Sequence, residues 1–301
     1  MTPRDPRRRA IPGGARPRRP ALAFAPAAIV AASVAAQDDP LPDLPEPVDP
    51  EPPALEVGSE DEDRGRRWTL GAGADYLTTD DPDESDGIEP FPIVELAWGR
   101  FSFFPVGAAV ELLEWSPAPP EGEDESPWAL LLGAAVEIGI DETDGEAGTV
   151  REGMRARGDD TPIALDAELV SPVGVFVLSA ETDVGGGSGG RAASIGWGVP
   201  LPTIGRVESF ALVGVRHESA DLVAHEVGVD PDEARAGRPA YAPGAATTPY
   251  LELGAEVALG RGVSLFATAG HSRVPDERRD SPLTDDDESA SAFGLGVSWS
   301  F

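Results

Sequence analysis

Three histidines are the residues best suited to acid–base chemistry in this chain, and their neighbours decide what each could do. His217 and Ser219 stand two positions apart, so both side chains share one face if the strand continues that far. With a supporting carboxylate, that pair would belong to a lipid-directed hydrolase of serine–histidine type. His271 and Ser272 are adjacent and point to opposite faces of a regular strand, out of reach of each other. His217 and Ser219 lie at a strand–loop boundary rich in Asp and Glu, where a solvated histidine is the ordinary state. His225 is followed by Glu226 and has no second histidine at metal-ligand spacing. Cysteine is absent, which removes thiol nucleophiles, Cys-ligated zinc and disulfides together. The reading is a chain that is not an enzyme and carries no cofactor or metal.

A second set of residues could act through charge. Glu95, Glu137, Asp166, Glu168, Glu181, Asp183, Glu252 and Glu256 all fall opposite apolar residues in alternating runs. Ile163, Leu165, Ala167 and Leu169 oppose Asp166 and Glu168; Leu251, Leu253, Ala255 and Val257 oppose Glu252 and Glu256. Side chains alternate across a strand with period 2, so these acids face away from the apolar side. If that apolar side meets lipid, the acids line a lumen, where rings of carboxylates favour cations.

The end of the chain identifies the apolar side. Phe293, Leu295, Val297, Trp299 and Phe301 point one way, and Gly294, Gly296, Ser298 and Ser300 the other. An aromatic-ended strand of this kind resembles the assembly signal of outer-membrane β-barrels, and implies contact with outer-membrane lipid and the barrel-assembly machinery. No segment outside the leader approaches 18 uninterrupted apolar residues, so a span would have to be a closed barrel, the other way to satisfy every backbone group in lipid.

The N-terminus agrees. Seven arginines precede an apolar run from Ala21 to Ala36, and Val34-Ala35-Ala36 offers small residues for cleavage, the layout of a signal peptide over residues 1–36. Residues 37–66 are dense in proline and acid and read as a disordered periplasmic arm. The barrel is expected over 67–301. Net charge is −31 for the whole chain and, once the leader is removed, 16 basic residues stand against 53 acidic ones, a balance of −37. Such charge repels phosphates and excludes nucleic-acid binding. The outer membrane of a Gram-negative-type envelope is the expected location.

Loop lengths give orientation. Gly99-Arg100, Ser171-Pro172, Leu201 to Gly205 and Gly260 to Gly262 match short periplasmic turns. Asp80 to Ile88, Ser116 to Ser126, Glu142 to Asp160, Ser219 to Ala246 and Val274 to Ser289 match extracellular loops. Eleven strands can be counted directly, but a bacterial barrel with both ends in the periplasm needs an even number. The flanks of Ser116 to Ser126 would run the same way, so two strands are merged within Arg100 to Trp115, at about Pro105 to Gly107. The expectation is an all-β, transmembrane antiparallel barrel of 12 strands, with 10 as the alternative.

The stretch Val227-Gly-Val-Asp-Pro-Asp-Glu-Ala-Arg-Ala-Gly-Arg-Pro-Ala-Tyr241 resembles a loop of the MipA/OmpV family, with Asp280-Ser-Pro-Leu283 and the final strand as further points of similarity. Asp230 is a good N-cap before Pro231, and Gly237 suits a stop, which predicts a helix over Pro231 to Ala236. Val227 replaces the family's Phe, and Leu222 a usual Tyr. The resemblance implies an outer-membrane structural or scaffold protein that recruits a murein hydrolase and a murein synthase. A narrow cation-preferring porin-like channel is the alternative from the acids, and a hydrolase the third class.

Overall fold

The computed structural model describes residues 65–78, 87–119, 126–138, 149–158 and 160–301. The expected leader and all but the end of the arm lie outside them. Twelve strands form a closed antiparallel barrel in which each strand pairs with its sequence neighbours and the first with the last. They are β1 (Arg66–Leu77), β2 (Gly87–Trp98), β3 (Phe101–Phe104), β4 (Gly107–Trp115), β5 (Ala129–Glu137), β6 (Pro162–Ser171), β7 (Gly174–Asp183), β8 (Arg191–Ile204), β9 (Val207–Glu218), β10 (Ala246–Gly260), β11 (Val263–Arg273) and β12 (Ser289–Ser300). Two short helices, α1 (Ala220–Val227) and α2 (Asp276–Arg279), lie in the connections β9–β10 and β11–β12.

Closure leaves no exposed sheet edge where β12 meets β1. Leu70 pairs with Trp299, Ala72 with Val297, Ala74 with Leu295 and Tyr76 with Phe293, so the apolar row of the last strand continues that of the first. Phe301 N donates to Trp68 O and Trp68 N to Phe301 O, both at 2.9 Å. The outward face is apolar and exposed, from Leu165 and Leu178 to Ile195 and Leu295, as a surface solvated by lipid requires.

Trp68, Trp98, Trp115, Trp128 and Trp299 all lie at strand ends on the side of the barrel that carries the termini. They form the aromatic belt expected at one membrane interface. Arg66 sits over the Trp98 ring, 5.3 Å from its centroid, at the same level. In barrels of this kind the termini and short turns face the periplasm, and the opposite end carries the long connections.

The merged strands separate at Pro105-Val106: β3 is only four residues long and turns back into β4. That split corrects one orientation. With β3 and β4 both present, the connection after Trp115 falls at the periplasmic end, not the extracellular one, and the short Pro105-Val106 turn points the other way. Loop length misleads here because β3 stops before reaching the far rim. The third tight turn also lies later than Leu201: β8 continues to Ile204 through a register shift, and the reversal is at Gly205-Arg206.

Candidate functional site

Two regions carry the polar chemistry: the inner face of the wall and a cap of loops over the extracellular end. On the inner face, registers place Asp166 opposite Ser179, Glu168 opposite Val177 and Glu181 opposite Ala164, which groups these acids on β6 and β7. Glu252 pairs with Leu212 and Glu256 with Glu208 on β10 and β9, a second group. Glu95, opposite Thr69, and Glu137, opposite Gly107, stand apart from both. Asp183 ends β7, and its carboxylate accepts from Thr161 N at 3.0 Å and from Gly185 N and Gly189 N at 2.9 Å. It braces the β7–β8 loop.

Between the acids lie aromatic rings that the alternation argument passes over. Phe91 pairs with Gly73, Phe104 with Gly107, Phe210 with Gly254, Tyr250 with Gly214 and Phe266 with Gly296. In each pair the ring occupies the space a Cβ on the glycine would need. The rings therefore lie flat on the wall instead of projecting into the lumen. Glycine weakens a strand unless a close approach requires it, and this approach is the requirement. The detectable signal is an inward aromatic directly across from a glycine.

The cap is built by arginines reaching backbone carbonyls. Helix α1 starts at Ser219, whose hydroxyl accepts from Leu222 N at 3.4 Å and from Arg191 N at 3.0 Å. It ends where Arg157 donates to the carbonyls of Ala224 at 3.0 Å, His225, and Gly228 at 2.6 Å, satisfying the orphan acceptors of a helix C-terminus. Arg238, 3% exposed, donates to Val150 O at 2.7 Å, Glu152 O at 3.1 Å and Glu233 O at 2.7 Å. Val229 and Tyr241 exchange backbone hydrogen bonds at 2.8 and 2.9 Å, and the Tyr241 hydroxyl donates to Glu277 O at 2.9 Å. Ser281 Oγ donates to Val227 O at 2.6 Å, and Leu283 is fully buried with Met154 and Val229. The residues that carry the family resemblance are thus the joints of the cap.

The helix expected over Pro231 to Ala236 is absent. Glu233 N bonds Asp230 O at 3.0 Å in a single turn, and Arg235 and Arg238 close a tight reversal with Gly237 at φ 85°. A helix would direct Gly237 N to the Glu233 carbonyl, which the Arg238 side chain takes instead. The helix of this loop is α1, upstream.

Beneath the cap is a buried charge cluster. Arg278 of α2 lies 2.9 Å from Glu218 and also pairs with Glu226. Arg216 pairs with Glu181 and, at 3.3 Å, with Glu218. Burial pushes the Glu226 carboxyl above the ordinary glutamate range, aided by nearby Glu218 and only partly opposed by Arg278. Burial works against the charge on Arg278, yet Glu226 and Glu218 outweigh it and hold its pKa above the ordinary value. Glu233 is the opposite case: burial would raise its pKa, but hydrogen bonds from Arg155 N and Asp230 N, with the charge of Arg157, lower it.

The histidines are kept from the candidate hydrolase roles. His217 points outward and its Nδ1 lies 2.9 Å from Thr247 Oγ1, while the Ser219 hydroxyl is occupied as a helix cap. His271 Nδ1 lies 3.0 Å from Ser291 Oγ, also on the outward face. His225 is 3.9 Å from Asp160. A hollow of about 710 Å³ is bordered mainly by outward-facing apolar residues such as Leu165, Leu178 and Ile195, with His217, Asp166, Ser179 and Ser194 among its lining.

A family model described as "MltA-interacting protein MipA" matches residues 70–301. A protein named "Putative outer membrane protein YiaT" in Escherichia coli strain K12 is 36% identical over 99 residues, 33% of this chain and 40% of the relative. The match thus spans about two fifths of that relative's length. Among solved structures, the NanC porin aligns at 10% identity and TM-score 0.40, over 76% of this chain and 98% of that one. OmpT, an outer membrane protein of Vibrio cholerae, aligns at 9% identity and TM-score 0.37, over 78% and 96%. With a closed 12-stranded barrel, a lipid-compatible outer face and a family match over nearly the whole barrel, the chain belongs to the MipA family of outer-membrane proteins.

Proposed function

We propose that this protein is a non-enzymatic scaffold of the outer membrane that recruits murein-cleaving and murein-synthesising enzymes to its periplasmic rim. The observation that carries the reading is the chemistry of that rim. Arg100, Arg206 and Arg261 sit on three of its tight turns and Arg66 and Arg67 begin β1, an arginine-rich surface on a chain of net charge −31. The connection from Ser116 to Trp128 adds a longer segment on the same side. The family's description as an MltA-interacting protein supports a murein enzyme as partner. In this reading residues 1–36 are a cleaved leader, residues 37–66 a second contact for the partner, and Phe293, Leu295, Val297, Trp299 and Phe301 the face presented to the assembly machinery. Crosslinking in intact envelopes followed by purification should recover a murein hydrolase or synthase. Changing Arg100, Arg206 and Arg261 to Glu should reduce that recovery. Envelopes that yield no murein enzyme would overturn the scaffold role.

A second reading, a narrow cation-preferring conduit, draws on the flat aromatic rings, which leave the axis to the inward acids. Planar-bilayer recordings would support it if conductance fell on changing Glu252 and Glu256 to Gln.

A further inference from the structure

Strand β2 is paired along its whole length with β1, from Arg66 opposite Trp98 to Leu77 opposite Gly87. Its other edge is paired at Leu96, Ala97 and Trp98 alone, because β3 stops at Phe104. Among the described residues, the edge from Gly87 to Glu95 has no strand partner. The wall beside it is low: β4 starts at Gly107 opposite Phe104, β5 ends at Glu137 opposite Gly107, and Ile138 N closes on Val106 O at 2.8 Å. Among the described residues the result is a notch in the half of the wall remote from the termini, the half that lies in the outer leaflet.

The residues of the notch restrict what can occupy it. Pro90 and Pro92 stand at alternate positions and have no N–H, and proline is tolerated in a sheet where that position faces an unpaired edge. A β-strand from a partner would find two of the donors it needs missing. An occupant that requires no ladder fits better. Apolar side chains stand on both flanks: Ile88, 73% exposed, and Val94 face outward, Phe91 and Ile93 face inward between the carboxylates of Glu89 and Glu95, and Val106 and Ile138 close the base. Phe91 lies flat over Gly73 and Ile93 reaches toward Gly71, so both inward side chains are folded against the wall beside the opening.

We propose that this notch is a lateral opening through which an acyl chain of an outer-leaflet lipid passes between the membrane and the lumen. An acyl chain is the occupant because the opening faces hydrocarbon, carries apolar side chains on its outer flank and at Phe91 and Ile93 between the inward Glu89 and Glu95, and denies hydrogen-bond donors to a strand.

The chain contains no cysteine, so a single introduced thiol can be labelled uniquely. Ile93→Cys and, as a second inward site, Phe91→Cys would carry a small fluorophore in the full-length protein, in bilayers whose acyl chains are brominated. Val94→Cys is the outward reference. Thr268→Cys is the inward reference, on β11, which is paired on both edges. Loss of emission at Ile93 or Phe91 as large as at Val94, with Thr268 unaffected, is the expected result. Loss at both no greater than at Thr268 would overturn the opening. Equal loss at all four sites would overturn it too, since lipid would then enter elsewhere. Testing two inward positions keeps the result decisive if one variant fails to assemble.

Discussion

The guanidinium of Arg278 lies 2.9 Å from the carboxylate of Glu218, tying a loop helix to the last residue of β9. Both side chains are 4% exposed, so each relies on its ionic partners for hydrogen bonds, Glu218 on Arg278 and Arg216, and Arg278 on Glu218 and Glu226. Changing Arg278 to Ala leaves a buried carboxylate short of a partner, a class of change that costs about 3–5 kcal/mol. The loss is expected in the cap first. Limited proteolysis should cut between Ser219 and Ala246 in the variant while the barrel stays folded.

Two glutamates of the cap respond to pH in opposite directions. Glu226 has its folded-state pKa raised by burial and by Glu218, so the fold binds its proton more tightly than the unfolded chain does, and its part of the cap loses stability as pH rises above the ordinary glutamate pKa toward the raised one. Glu233 has its folded-state pKa lowered. Its contribution is complete above the ordinary glutamate pKa and is lost as pH falls through the lowered one. A carboxyl NMR titration should show Glu226 titrating above, and Glu233 below, the ordinary value of about 4.3.

Gly254 has no room for a side chain because Phe210 covers it. Gly254→Val should displace the ring and destabilise the barrel by roughly 1–3 kcal/mol, the usual range for overpacking. A lower urea midpoint for unfolding in detergent micelles is the readout, and an unchanged midpoint would contradict the flat-ring geometry.

Deleting Phe301 removes both backbone hydrogen bonds to Trp68 and the ring 4.4 Å from that of Trp299. Outer-membrane yield should fall, and the remaining protein should lose heat-modifiable migration more readily than the intact chain. Normal yield would count against the terminal strand as an assembly signal.

The wall was legible in the sequence because alternation is a local property: each strand states its own two faces, as Phe293 to Phe301 does. The β3–β4 hairpin was legible only through parity, since four residues are too few to show a period of their own. The aromatic–glycine pairs were not legible strand by strand, because Phe210 and Gly254 lie 44 positions apart and meet only through register. The cap was hidden for a related reason. The loop around Asp230 carries sound helix signals, but Arg238 reaches back and takes the carbonyl a helix would use, a competition between side chain and backbone that propensity does not weigh. Of the candidate acids, Asp166, Glu168 and Glu181 lie on the paired strands β6 and β7, while the carboxylate of Asp183 is engaged by the loops, its backbone donors coming from Thr161, Gly185 and Gly189.

The pairing of Trp68 with Phe301 also fixes where a tether would hang. The end of the chain and the start of β1 meet at one rim, so the chain enters β1 on the same side as Arg100, Arg206 and Arg261, and a tether formed by residues 37–66, as proposed, would start there. Thirty residues can extend to at most about 100 Å. A partner held by that segment could stay bound while exploring a wide volume of periplasm, and the arginine rim would then set where it comes to rest rather than whether it is caught.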